Sequence, residues 1–155
     1  MRLWRLVPAS RSKGAFDGEG ARLFGGRWNP RGTPMVYLSS TLSLAALEIL
    51  AHADFDTLPD PYVAVPVEVP DRKGLVEVVD ASRVSRRWQE HPAPPELAVF
   101  GETWVREARS LVARVPSALI PQEFNVLLNP AHRDASALRF GDPIPFRFDA
   151  RLQRR

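Results

Sequence analysis

Residues 41–53 read TLSLAALEILAHA, and this run constrains the fold more than any other. Leu42, Leu44, Ala45, Ala46, Leu47, Ile49, Leu50, Ala51 and Ala53 put apolar residues on every face of a helix that Thr41 or Ser40 can cap. A helix of this kind is expected to be buried, with a core wrapped around it. Glu48 is its one charged residue. A carboxylate among Leu44, Leu47 and Ala51 has to be paired, protonated or turned toward a cleft, because a bare buried charge is too costly. Three readings fit: an ion pair inside the core, an i,i+4 contact with His52 near the surface, or a functional carboxylate facing a ligand.

The rest of the chain suggests the surroundings of that helix. Its 155 residues can bury one core and are expected to form a single domain over 1–155. Residues 3–7 read as an edge strand stopped by Pro8, and residues 34–39 as a buried strand leading into the Glu48 helix. Strands are expected over 62–69, 75–79, 111–115, 124–128, 137–140 and 144–148. Helices are expected over 81–90 and from Pro95, where Leu97, Phe100, Trp104 and Ala108 form an apolar stripe. Fifteen prolines help to cut the second half into short pieces. No repeating strand–helix–strand alternation appears, so the expected fold class is α+β with a mostly antiparallel sheet. Six of the nine glycines fall within residues 10–33, which reads as a long irregular segment of the kind that often carries function.

Composition removes several chemistries. With no cysteine there is no disulfide framework, thiolate nucleophile or Cys-ligated metal. The histidines, His52, His91 and His132, lie far apart, and no metal is expected. The longest uncharged run, residues 32–47, contains Pro34 and falls short of the ~20 apolar residues a bilayer needs. The start, Met1-Arg-Leu-Trp-Arg5, lacks a signal-peptide core, so the expected location is the cytoplasm. The net charge of +3 is carried mainly by arginines interleaved with acids, clustering only at residues 83–87 and 151–155. That mixing argues against a phosphate-tracking groove and for solvated basic patches.

Candidate site residues lie elsewhere. Arg27 follows two glycines in Phe24-Gly-Gly-Arg-Trp-Asn-Pro30, where a guanidinium fork and open N–H groups suit a phosphate; an exposed arginine on a glycine turn is the plainer reading. Trp28 could stack on a ring or simply pack. Tyr37 interrupts an apolar strand and needs a partner for its hydroxyl, either in the core or on a cleft shared with Glu48. Ser117, Asn125 and Asn129 punctuate later apolar strands and could each close a turn. Ser117 lacks the context of a hydrolase nucleophile.

Taken together, Gly25-Gly-Arg27-Trp-Asn-Pro, Tyr37-Leu-Ser-Ser, Ala46-Leu-Glu48, Val115-Pro-Ser117 and Phe124-Asn125-Val-Leu-Leu-Asn129-Pro-Ala-His132 resemble the RES domain family, the toxin half of bacterial RES–Xre toxin–antitoxin pairs. The resemblance runs from Leu3-Trp-Arg5 to the Arg-Phe strands near the end. It implies an ADP-ribosyltransferase-like fold with NAD as substrate. NAD would be degraded by hydrolysis or phosphorolysis, or its ADP-ribose transferred to a protein. Arg27, Tyr37 and Glu48 take the places of the family's catalytic arginine, tyrosine and glutamate, and Ser117 that of its serine. Asn125 is a further candidate for binding NAD. No separate cofactor is implied; inorganic phosphate would be a co-substrate in phosphorolysis. An Xre-type helix-turn-helix antitoxin is the implied partner.

These roles are chemically coherent. Cleaving the nicotinamide–ribose bond builds positive charge on the ribose, which a fixed carboxylate at Glu48 would stabilise. Arg27 would grip the pyrophosphate, Tyr37 would stack on nicotinamide or ribose, and Ser117 would hydrogen-bond the amide or a ribose hydroxyl. Two alternatives stand beside NAD degradation: protein ADP-ribosylation, and a non-catalytic basic protein that binds nucleic acid in a salt-dependent way.

Overall fold

The computed structural model describes residues 1–52, 58 and 61–152. Within them the strands are β1 (Arg2–Pro8), β2 (Val36–Ser39), β3 (Tyr62–Glu68), β4 (Val76–Val78), β5 (Val112–Pro116), β6 (Phe124–Leu128), β7 (Arg139–Phe140) and β8 (Ile144–Phe146). The helices are α1 (Glu19–Phe24), α2 (Leu42–His52), α3 (Ala81–Val84) and α4 (Pro95–Glu107). The strands make one sheet in the order β4-β5-β6-β2-β1-β3-β7, with β8 on the other end of β3. Every pairing is antiparallel except β4 with β5, as the α+β reading expects.

Alternation along the central strands decides which side each residue serves. Val126 and Leu128 of β6 join Leu3, Val36, Leu38 and Val67 in a core on one face. Leu127, between them, points to the opposite face with Met35, Ala113, Val115 and Trp104. Two helices cover that second face at separate places. α4 presents Leu97 and Trp104, both fully buried, to β5 and β6. α2 sets Ala45 against Leu6, Tyr62 and Ala64 on β1 and β3. Between the two blocks lie β2 and the start of β6, and Tyr37, Ser39 and Asn125 share this face because Tyr37 pairs with Leu127 and Ser39 with Asn125.

Five local expectations change. β1 is an interior strand, paired with β2 and β3; Pro8 ends it without marking an edge. The segment 10–33 holds a 3-10 turn at Ala9–Gly14 and the helix α1, so it is partly regular. α2 is covered on one side only: Leu44 and Ala45 are buried while Leu47 is 39% exposed, because the sheet underlies a single face. The expected last residue of that helix, Ala53, lies outside the described residues, as do Gln153, Arg154 and Arg155 of the basic tail. α3 stops at Val84, where Ser85 turns to extended backbone, although Trp88 still packs in the same core as Ala81 and Val84. Near the end, residues 135–137 form a 3-10 turn and β7 shrinks to two residues.

Candidate active site

A cavity of about 530 Å³ opens between the α2 and α4 blocks. Arg5, Arg27, Tyr37, Ser39, Glu48 and Asn125 are on its wall, contributed by β1, the glycine loop, β2, α2 and β6. Its size is in the range of small-molecule sites.

Glu48 reaches the cavity from α2. Thr41 starts that helix, its hydroxyl accepting the Leu44 N–H at 3.0 Å while donating to Glu123 at 2.9 Å. Glu48 Oε1 accepts two hydrogen bonds, from Ser117 Oγ at 3.0 Å and Asn125 Nδ2 at 2.5 Å. The direction of the first is fixed: Ser117 Oγ already accepts the N–H groups of Leu119 and Ile120, both at 3.2 Å, so its proton goes to the carboxylate. His52 bonds the backbone carbonyl of Glu48 at 2.7 Å, not its carboxylate. The core ion pair and the His52 contact through the side chain are thus both set aside for a carboxylate held by neutral donors at a cavity.

Arg27 is half-buried, and its Nη1 donates to the carbonyls of Trp88 at 2.7 Å and Glu90 at 3.1 Å. Desolvation draws the guanidinium below its ordinary value, and the charge of Glu48 opposes that shift. It stays a cation and lines the same cavity as the carboxylate. The glycine loop is locked beneath it. Gly25 has φ +74°, and a Cβ on Gly26 would come within 2.6 Å of the Tyr37 hydroxyl. Buried Asn29 donates to the carbonyls of Ala21 and Thr33 at 2.8 and 3.1 Å. Trp28 packs edge-on against Phe100, with ring centroids 5.8 Å apart, as the packing reading of that residue had it.

Tyr37 spends its hydroxyl on the same loop, donating to Asn29 Oδ1 at 2.7 Å and accepting the Trp28 N–H at 3.0 Å. Burial pushes its pKa well above the ordinary value. The ring is therefore the part of Tyr37 left to meet a ligand.

The structure brings Arg27, Tyr37, Glu48 and Asn125 to one cavity and sets Ser117 behind it. Ser117 is fully buried, with its hydroxyl proton committed to Glu48, so it holds the carboxylate. Asn125 likewise spends its amide on Glu48 and Ser39. Asn129 is buried outside this site, donating to Val105 and capping Ala131.

One residue of the wall was missed as a candidate. Arg5 extends from β1 where β1 and β2 share a single register pair, Trp4 with Ser39. That splay leaves the Tyr37 carbonyl to Arg5 Nη1 at 2.8 Å, with Ala15 O at 3.3 Å from Nε. Desolvation lowers its pKa and Asp17 offsets part of that. An arginine inside an apolar strand was the available signal.

Comparison with known proteins shows the family of the chain. The model of the RES domain matches residues 2–149. This chain belongs to the RES domain family. Two curated relatives span nearly the same length as this RES protein. The Prs ADP-ribosylating toxin of Sphingobium sp. (strain YBL2) is 35% identical over 155 residues, covering 98% of this chain and 96% of the relative. Toxin Res of Yersinia enterocolitica is 34% identical over 154 residues, covering 99% and 100%. Among solved structures, the crystal structure of the M.tuberculosis MbcT–MbcA toxin–antitoxin complex superposes with a TM-score of 0.74 at 20% identity, covering 94% of this chain and 83% of that one. This likeness bears out the mixed, mostly antiparallel ADP-ribosyltransferase-like fold. No helix among the described residues is long and apolar enough to cross a membrane.

Proposed function

We propose that this RES protein is an NAD-consuming toxin of a toxin–antitoxin pair, cleaving the nicotinamide–ribose bond. The observation that carries the reading is Glu48, held through Oε1 by Ser117 and Asn125 on a cavity whose other walls carry Arg27 and Tyr37. The C1′–N bond breaks with its electron pair leaving on the pyridine nitrogen, so the cationic ring departs as neutral nicotinamide. Positive charge develops on the ribose, and the fixed Glu48 carboxylate stabilises it. The acceptor oxygen then bonds C1′; water passes its proton to solvent, whereas phosphate attacks through an oxygen that carries none. Arg27, pinned by two carbonyls, grips the pyrophosphate. The Tyr37 ring packs on nicotinamide or the adjoining ribose and excludes water. No metal or separate cofactor takes part; NAD is the substrate, and inorganic phosphate is the acceptor in the phosphorolytic form.

The partner in this reading is an Xre-type helix-turn-helix antitoxin that occludes the cavity. The superposed fold is that of a chain solved in a toxin–antitoxin complex, which supports a restraining partner. On this reading the protein acts in the cytoplasm, where it would meet NAD. A second reading, transfer of ADP-ribose to a protein, is favoured by the relative named as an ADP-ribosylating toxin.

The test is pure protein with NAD, with and without phosphate. Nicotinamide should be released, with ADP-ribose or its 1″-phosphate as the other product. Glu48→Ala should lose about 10²–10³ in kcat. Folded protein that releases none under either condition overturns the reading. Labelled ADP-ribose appearing on a lysate protein in preference to free product moves it to the second.

A further inference from the structure

Ser39 has no assigned role, yet its hydroxyl ends the chain of hydrogen bonds that reaches Glu48. We propose that Ser39 is a positioning residue for the proposed reaction, anchoring the oxygen end of the Asn125 amide while its NH₂ end faces the carboxylate. The two ends of an asparagine amide have nearly the same shape and opposite hydrogen-bonding character. Turned over, Asn125 would aim an oxygen at Glu48 Oε1, replacing a 2.5 Å donor contact with repulsion between two acceptors.

Glu48 takes the NH₂ end, because a carboxylate only accepts, and Ser39 then holds the oxygen end. β2 and β6 place Ser39 directly opposite Asn125, side chains on the same face. Ser39 Oγ lies 2.8 Å from Asn125 Oδ1. A carbonyl oxygen can only accept, so the hydroxyl donates. Ser39 is 5% exposed, which keeps water from competing for that proton. Glu48 Oε1 is then gripped from two sides: main-chain N–H groups act through Ser117 on one, and Ser39 acts through Asn125 on the other. Ser39 is also on the cavity wall. A ligand group arriving there meets a hydroxyl whose proton is already committed, so it could only donate to Ser39.

The inference rests on the NAD-cleaving reading, and its experiment separates the two. Nicotinamide release is measured for the wild-type chain, Ser39→Ala, Asn125→Ala and the double variant. Ser39→Ala should lower kcat about tenfold with KM within about twofold, the size expected for one link of a coupled network. In the Asn125→Ala background the same change should add nothing. Ser39→Thr and Ser39→Val match in shape and differ in the hydroxyl, so Thr should recover most of the loss and Val should not. Wild-type kcat in Ser39→Ala, or losses that multiply in the double variant, overturns the proposal. If the wild-type chain releases no nicotinamide, the NAD reading fails, and side-chain amide NMR still tests Ser39. The Asn125 NH₂ pair, assigned by its absence in Asn125→Asp, should be widely dispersed in the wild type and collapse in Ser39→Ala. An unchanged pair overturns it.

Discussion

Tyr37 joins the glycine loop to the sheet, and its phenol has measurable consequences. Tyr37→Phe strands the buried Asn29 Oδ1 and the Trp28 N–H, and is expected to cost about 1–3 kcal/mol of stability in urea unfolding. The pH dependence has a definite sign. In the unfolded chain the phenol ionises at its ordinary value of 10.0, while burial holds the folded value higher. The unfolded chain therefore binds fewer protons above pH 10, so this stabilisation is complete below that pH and declines as pH rises past it. Tyr62 shifts in the same direction through desolvation, so Tyr37→Phe should flatten the alkaline loss without abolishing it. Identical slopes in variant and parent above pH 10 would sink the assignment. Glu48, Arg27 and Tyr37 could be picked out in the sequence because each is a polar group set among apolar or glycine neighbours. What each one bonds could not. Ser117 was singled out by the family resemblance, and the Leu119 and Ile120 N–H groups that point its proton at Glu48 leave no mark in the sequence.

Among the elements, α2 was read from composition and only half understood. Apolar residues on all its faces suggested full burial, yet the sheet supports one side and Leu47 stays 39% exposed. Burial depends on what tertiary structure supplies, which the residues of one helix do not encode. The buried side is what fixes Glu48. Leu44→Ala should cost about 2–5 kcal/mol, and as α2 loosens it should lower nicotinamide release beyond the unfolded fraction. Leu47→Ala, on the exposed side, should leave stability within about 0.5 kcal/mol. Comparable losses from both would mean that α2 is covered on two sides. The strands over 62–69, 111–115 and 124–128 were legible from apolar runs and proline or asparagine breaks, and structure and sequence agree there to within about two residues. The interior position of β1 was not legible, because pairing partners leave no mark on a single strand. Gly101 gives an element-level test as well. A Cβ there would collide with the Trp28 carbonyl, so Gly101→Ala should push α4 off the glycine loop and lower the melting temperature.

For the whole molecule, ligand binding and folding are linked. A chain that binds NAD when folded and not when unfolded gains about 2.7 kcal/mol at a concentration a hundred times Kd, roughly 5–10 °C in Tm at this length. Glu48→Gln, which slows turnover, is the form in which to measure it; no shift at saturating NAD would argue against binding. The cavity is also assembled from distant parts of the chain. Arg5, Arg27, Tyr37, Ser39 and Glu48 all come from the first third, whereas the carbonyls that pin Arg27 belong to Trp88 and Glu90, and the donors that hold Glu48 belong to Ser117 and Asn125. During synthesis these groups emerge from the ribosome before the residues that support them. A chain ending before residue 125 carries the glutamate without the grip that aims it, so on the proposed reading it should release no nicotinamide even with all of residues 1–124 in place.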